Sequence, residues 1–430
     1  MTTAGLILGG CTAGSQGAPV TITSNVTVPA TISSPGTAVS SPNLPTGRTT
    51  QSAPSTTPST SSRATATPAT TPTTAPAGAQ PDGFVPTRLK PGQKPPQFIV
   101  LSFDGVGWHE KWQYWKSIQD RVPFHFTGFL SGTYMLSTVT SKKYDGPGDG
   151  PRHGPGGASI NFAEPADLPV EIADLNDALK RGDEIGTHFN GHFCDDSPPG
   201  ADVWNASDWN NELDQFFALV KNVDVNNGIT AKLNLPAAEI KGERTPCLEG
   251  RKDGLYPALQ AHGMTYDTSF TRNGLYWPTQ TTKYMTGGYK IWQLGMSQFP
   301  IEGPVLDYPS HHKQITMDFN YYYSQRHSSS VGISPDQSAK DSAQVLATYN
   351  TMFDAVYSGN RAPMILGNHF EAWNNNAYTK ALGSFVLAKC GQPDVKCLPF
   401  RDLIAWMNAQ DPAVLAQLQA QSPEFGNPSN

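Results

Sequence analysis

The sequence lacks three features, each of which would have pointed to a class of function. No apolar run approaches the roughly eighteen residues of a membrane span. No basic stripe is present, and the net charge is −6, so nucleic acid is not an expected partner. The glycine-rich run 145–157 is not followed by the Lys-Ser/Thr pair of a phosphate-binding loop.

Charged side chains are also scarce near the N-terminus. Between residues 12 and 81, Arg48 and Arg63 are the only charged residues, and Thr, Ser, Pro, Ala and Gly dominate. Such a segment has too little apolar surface to offset the entropy of ordering. We therefore expect a disordered linker over 12–96, one large domain over 97–412 and a flexible tail over 413–430.

The residues Leu8-Gly9-Gly10-Cys11 follow a short apolar piece and resemble the lipobox of a bacterial lipoprotein. Residues 1–11 are therefore expected to be a truncated, lipoprotein signal-like segment in which Cys11 carries the lipid. This pattern predicts an exported protein, either secreted or held at the cell surface. Lipid on Cys11 would be its one membrane contact.

Four cysteines remain once Cys11 is set aside. An even number in an exported chain predicts two disulfides. Cys390 and Cys397 are close enough in sequence to close a local loop. Cys194 and Cys247 would form the second bridge if their segments converge, and the alternative is that these two cysteines are metal ligands.

A helix-then-strand pattern recurs through the domain, and polar residues fall where the strands end. The strand ends predicted in this way lie at Asp104, His188, Arg244, Asp267 and His369. Because the carboxyl ends of all strands of an α/β barrel open onto one face, the pattern predicts an α/β barrel with its site there. A doubly wound open sheet is the structural alternative.

His188 and His192 are four residues apart, just beyond a short apolar segment. This is the spacing that two imidazoles need to reach one metal ion.

Five short motifs resemble, in order, those of the polysaccharide deacetylases of carbohydrate esterase family four, nearest to the chitin deacetylase-like branch. They are Ser102-Phe-Asp-Gly105, His188-Phe-Asn-Gly-His192, Arg244-Thr-Pro246, Tyr266-Asp-Thr-Ser269 and Leu366-Gly-Asn-His369. The resemblance implies an α/β fold, a distorted (β/α) barrel of about seven strands that follows the disordered tether.

The resemblance also implies a role for each site residue. His188 and His192 would hold a divalent metal, commonly Zn²⁺. Asp104 would be the general base and Arg244 would keep it ionised and oriented. His369 would be the general acid, and Asp267 would be the aspartate that tunes it.

The first motif is degenerate. Where the family has a second Asp that completes the metal site, this chain has Gly105. One alternative is that Asp104 shifts to become the third ligand, which leaves no general base. The other is that Asp195 or Asp196 reaches the metal from beyond His192. The sequence leaves these alternatives open.

The predicted function is metal-dependent N-deacetylation of an N-acetylated polysaccharide, a cell-wall glycan or chitin-like polymer, with release of acetate. The alternative is a catalytically inactive relative that binds surface glycan, and a hydrolase of another amide or ester on the same barrel is a third interpretation. Trp277, Trp292 and Trp373 are candidates for the sugar-binding groove. Trp108, Trp112 and Trp115 recur at helical spacing and are expected in the core. The sequence offers no basis for an oligomeric state.

Overall fold

The computed structural model describes residues 84–90, 92–148, 153–195, 200–309 and 312–426. Cys11, Asp196 and most of the predicted linker lie outside the described residues. Within the described ranges, no helix is both long and apolar enough to cross a membrane.

The strands are short and spread along the whole domain. They are β1 (Gln97–Asp104), β2 (Thr127–Leu130), β3 (Asp145–Gly146), β4 (Gly154–Pro155), β5 (Glu184–Thr187), β6 (Gly242–Glu243), β7 (Tyr266–Asp267), β8 (Thr271–Asn273), β9 (Thr279–Thr281), β10 (Ile291–Gln293), β11 (Met296–Pro300), β12 (Lys313–Ile315), β13 (Met364–His369) and β14 (Val395–Leu398). The α-helices are α1 (His109–Gln119), α2 (Leu168–Arg181), α3 (Ala206–Lys221), α4 (Val223–Asn227), α5 (Lys252–Ala261), α6 (Asp318–Arg326), α7 (Pro335–Ser358), α8 (Trp373–Lys389), α9 (Phe400–Ala409) and α10 (Pro412–Gln419).

The main sheet runs in the order β13-β1-β2-β5-β6-β7-β10-β9. The first seven of these strands are parallel, β9 is antiparallel to β10, and β14 pairs with the first half of β1. From β1 to β10 the spatial order follows the chain order without a reversal. This is the arrangement of a barrel, because a doubly wound sheet reverses its order at a switch point.

A second sheet, in the order β12-β11-β8, brings the two sides of the main sheet towards each other. The Gly367 amide in β13 donates to the Thr316 carbonyl (3.0 Å), and the Thr316 amide donates to the Ser297 carbonyl in β11 (2.9 Å). These bonds continue the curl of the sheet from β13 towards β11. The prediction of a distorted barrel of about seven strands is confirmed.

Apolar residues place the strands in the core. All eight residues of β1 are buried, as expected for a parallel strand that is covered on both faces. Trp112 and Trp115 are each 1% exposed, which confirms their predicted place in the core. The prediction is wrong for Trp108, which is 42% exposed because it caps the start of α1 rather than lying on its buried face. Trp277 and Trp292 are only 2% and 3% exposed, so the prediction that they line a sugar groove is wrong. Trp277 packs instead against Trp406, with ring centres 5.7 Å apart.

Both ends of the predicted domain are longer than expected. Residues 413–419, assigned to a flexible tail, belong to α10 (Pro412–Gln419), whose Leu418 is buried. Leu275 and Glu424 also exchange backbone hydrogen bonds. At the other end, Gln410 accepts from the Leu89 amide (2.9 Å) and donates to the Thr87 carbonyl (3.0 Å). The last residues of the predicted linker therefore contact the domain.

Candidate active site

The parallel strands deliver the predicted site residues to one edge of the sheet. Asp104 and His369 are the last residues of β1 and β13, and they are paired in register. His188 directly follows β5, Arg244 directly follows β6, and Asp267 ends β7. The residues converge because parallel strands present their carboxyl ends together.

Arg244 is the buried anchor of this edge. Its guanidinium, which is 0% exposed, donates to Asp104 Oδ1, Ser102 Oγ and Thr268 Oγ1, each at 2.8 Å. It also lies 4.7 Å from the centre of the Phe129 ring. Arginine suits this position because its rigid fork can bind several acceptors at once.

Asp104 is the only carboxylate that pairs with Arg244 among the described residues, and it is 3% exposed. Burial alone would raise the pKa of Asp104, but the Arg244 guanidinium and two nearby imidazoles hold it below its usual value. Asp104 is therefore ionised at neutral pH, as a general base must be.

His369 has a carboxylate partner that sequence reasoning missed. Its Nδ1 lies 2.7 Å from Oδ1 of Asp318, and its backbone amide donates to Oδ2 of the same residue (2.8 Å). Burial would lower the pKa of His369, but the charge and hydrogen bond of Asp318, together with the charge of Asp104, raise it to about 9. His369 therefore carries a proton at neutral pH. The one local signal was an Asp at the start of α6, just after β12.

Asp267 has other partners. Its Oδ2 lies 2.9 Å from the Lys252 ammonium and accepts from the Tyr256 hydroxyl at 2.7 Å. Burial and the charge of Asp267 raise the pKa of Glu243 well above its usual range, whereas the pKa of Asp267, which burial alone would raise, is lowered by Lys252 and Glu243. The expected pairing of Asp267 with His369 is thus replaced, because Asp267 is committed to a lysine and a buried carboxyl.

The two predicted metal-binding histidines have a geometry that fits one ion. Nδ1 of His188 lies 2.8 Å from the Arg244 carbonyl, so the proton belongs on Nδ1 and Nε2 keeps its lone pair. The ring centres of His188 and His192 are 5.1 Å apart. Two imidazoles that bind one tetrahedral ion at about 2.1 Å have ring centres roughly 5 Å apart. Burial and the charges of His188 and His369 lower the pKa of His192 to about 3, which keeps it neutral.

The third ligand is missing at Gly105. This residue has φ +63°, and a Cβ added there would lie 3.4 Å from the Tyr134 hydroxyl. Asp104 is bonded to the buried arginine, and Asp195 is exposed. Within the described ranges, no Asp or Glu oxygen completes a three-ligand set with both histidines. The residues present therefore fit a two-imidazole site with open positions, which would bind an ion weakly.

The structure contains both predicted disulfides. Cys194 is bonded to Cys247, with Cα atoms 6.0 Å apart, and Cys390 is bonded to Cys397. The first bridge joins the loop of His192 to the segment that follows Arg244. His192 Nδ1 lies 3.7 Å from the Cys194 sulfur, but a sulfur in a disulfide offers no thiolate to a metal.

Trp373 is the one predicted groove tryptophan that lies at the site. Its ring centre is 5.1 Å from that of His369. The next three residues, Asn374–Asn376, have φ values of 50°, 54° and 62°, a left-handed turn that asparagine tolerates better than most residues. The first asparagine donates to Asp341 Oδ2 in α7 at 2.6 Å. This strained turn at the start of α8 holds Trp373 beside the candidate acid.

Comparisons with known proteins concern the fold. No family model and no curated protein matches the chain. A putative polysaccharide deacetylase from Mycobacterium smegmatis is 14% identical, with 80% of this chain and 99% of that chain covered and a TM-score of 0.43. A family 4 carbohydrate esterase from Streptomyces lividans, in complex with acetate, is 10% identical (70% and 91% covered, TM-score 0.33). A CE4 family pseudoenzyme from Bacillus anthracis is 11% identical (75% and 70% covered, TM-score 0.35). At these values the case for a function depends on the site residues themselves.

Proposed function

We propose that the protein is a hydrolase that removes acetyl groups from an N-acetylated polysaccharide and releases acetate. One observation carries this proposal: two titratable groups on adjacent strand ends are held in opposite states. Asp104 is kept ionised by Arg244, and His369 is kept protonated by Asp318. Surroundings that separate two pKa values in this way distinguish a general base from a general acid.

In the proposed reaction, Asp104 accepts a proton from the water that attacks the acetyl carbonyl. The carbon–nitrogen bond then breaks, acetate departs, and His369 gives its proton to the leaving amine. Arg244 orients Asp104 throughout. Asp318 fixes the tautomer and the ring plane of His369, as the partner of a catalytic histidine must.

His188 and His192 would hold a divalent ion, for which we propose Zn²⁺. When bound, such an ion polarises the acetyl carbonyl and lowers the pKa of a coordinated water. The chain's own contribution is the preset tautomer of His188, because the Arg244 carbonyl occupies its Nδ1.

We further propose that the protein acts outside the cytoplasm, held to the membrane by lipid on Cys11 or secreted. The two disulfides support this location, because such bonds persist in oxidising compartments. An extracellular location would give the enzyme access to a cell-wall glycan.

Acetate release is the direct test. The full chain is incubated with acetylated chitin oligomers and with peptidoglycan, with added zinc or with chelator, beside Asp104→Asn and His369→Gln. We expect acetate from at least one substrate and none from either variant. Release that survives both substitutions would exclude the proposed base and acid.

The second candidate function is glycan binding without catalysis. Gly105 favours it, because none of the described carboxylates completes the metal site and Tyr134 lies in the direction that a side chain there would take. Metal content separates the two functions. Near-stoichiometric zinc in the purified protein supports the enzyme, whereas glycan binding with neither zinc nor acetate release supports the binder.

A further inference from the structure

A cavity of about 430 Å³ lies at the carboxyl ends of β7 and β10. The start of α5, the end of β10 and the loop after β9 line it. None of its lining residues belongs to the candidate acid, base or metal-binding groups. The proposed reaction steps therefore do not use this cavity.

Cations predominate in the lining. Arg251, Lys252 and Lys283 face one lining carboxylate, Asp253, which pairs with Arg251 at 2.7 Å. The Lys252 ammonium pairs with Asp267 at 2.9 Å. Among the described carboxylates, none lies within ion-pair distance of Lys283. Lys283 is therefore the surplus positive charge of the lining, and it attracts an anion even though the whole chain has a net charge of −6.

The rim carries an exposed and strained aromatic side chain. Tyr284 is 43% exposed and has φ +68°, within a turn in which the Met285 amide donates to the Thr282 carbonyl. A bulky residue adopts this backbone conformation rarely, and such strain is concentrated at functional sites. Lys283 Nζ lies 4.6 Å from the centre of the Tyr284 ring. An aromatic face beside a cation suits a sugar ring that bears a negative charge.

Short contacts connect the cavity to the reacting centre. Tyr256, in the lining, donates to Asp267 Oδ2 at 2.7 Å. The next residue, Thr268, accepts from Arg244, which holds Asp104. These contacts run through buried side chains, and the cavity lies at the same carboxyl edge of the parallel sheet as Asp104. A polysaccharide that runs along this edge would bring a sugar other than the reacting one to the cavity.

We propose that this cavity is a subsite for an anionic sugar of the polysaccharide, a carboxylate-bearing residue such as a hexuronate. Lys283 binds the carboxylate and Tyr284 packs on the ring, whereas Arg251 stays paired with Asp253. The proposal rests on the proposed function and narrows its substrate to a charged glycan. A neutral chitin chain would leave Lys283 without a counter-charge.

The test compares two oligosaccharides of equal length by titration calorimetry on the full chain. One alternates glucuronate with N-acetylglucosamine, and the other is a neutral chitin oligomer. We expect at least about fivefold tighter binding of the charged oligomer at low salt, with a difference that shrinks as salt screens the charges. Lys283→Ala should remove about fivefold of that affinity. Lys290→Ala, which removes an exposed lysine of the same segment outside the cavity, should change nothing.

Two results would overturn the subsite. The first is equal affinity for the two oligomers. The second is that inorganic phosphate alone binds as tightly as the charged oligomer, because the cavity would then recognise a free anion rather than a sugar. Acetate release separates this proposal from the function on which it rests. If the charged oligomer binds through Lys283 but neither substrate loses acetate, the deacetylase proposal fails and the subsite stands.

Discussion

Replacement of Arg244 by glutamine tests the buried ion pair on which the proposed base depends. The guanidinium is 0% exposed and makes three hydrogen bonds of 2.8 Å. Without it, the Asp104 carboxylate stays buried with no paired cation. Removing one partner of a buried ion pair costs about 3–5 kcal/mol. We therefore expect Arg244→Gln to lower the free energy of unfolding by that amount at neutral pH.

The loss of stability caused by Arg244→Gln should become smaller as the pH falls. In the native protein the pKa of Asp104 is lowered, so its contribution to stability is present above the unfolded-state pKa of about 3.9 and is lost as pH falls through the folded-state value. In Arg244→Gln, burial is the largest influence on the pKa of Asp104 and is opposed only by the two nearby imidazoles, so we expect the folded-state pKa to rise above the unfolded one. The carboxylate then opposes folding at neutral pH and ceases to do so once protonated. The stability gap between the two proteins should therefore narrow as pH approaches about 4.

Urea unfolding followed by tryptophan fluorescence at about pH 7 and about pH 4 measures both effects. The matched control is the double variant Asp104→Asn with Arg244→Gln, which leaves no buried charge and should recover part of the lost stability. A loss below about 1 kcal/mol at neutral pH, or a gap that does not change with pH, would refute the reasoning.

Three further predictions concern the disulfide, the metal site and the acid. Replacing Cys194 and Cys247 by serine should lower the free energy of unfolding by about 4 kcal/mol, and removing the Cys390–Cys397 bridge should lower it by about 2 kcal/mol. The difference arises because the first bridge joins residues 53 apart and the second joins residues 7 apart. Urea unfolding that gives the opposite order would contradict this prediction. Gly105→Asp should tighten zinc binding at least about tenfold, because aspartate tolerates a positive φ and adds a third ligand. Titration calorimetry measures this, and an unchanged zinc affinity would argue against a metal site at the two histidines. Asp318→Asn should lower the pKa of His369 from about 9, so the alkaline limb of the rate profile moves to lower pH, and an unmoved limb would exclude His369 as the acid.

The prediction of the fold succeeded where the signal was local. The sequence of β1 is a mostly apolar run that ends in Asp104, and the sequence of β13 is a similar run that ends in His369. In each case a strand and its terminal polar residue lie within a few positions of each other. Parallel packing then brings the two ends together without further information.

The partner of His369 was not accessible in this way. Asp318 is 51 residues away in sequence, and nothing in its neighbourhood marks it as more than the first residue of a helix. Asp267 looked equally suitable because it ends a strand at the right edge. The choice between them depends on which carboxylate Lys252 neutralises, and that is a contact between side chains.

The sequence by itself determined the parallel α/β barrel, the edge at which the site lies and the residue types available there, because periodicity and strand ends are properties of short segments. Only the tertiary structure decided which groups are paired, buried or exposed. It assigned Asp318 to His369, placed Tyr134 beside Gly105, buried Trp277 and brought Lys283 into the lining of a cavity. These outcomes depend on distances between residues far apart in the chain, and charge states follow from those distances.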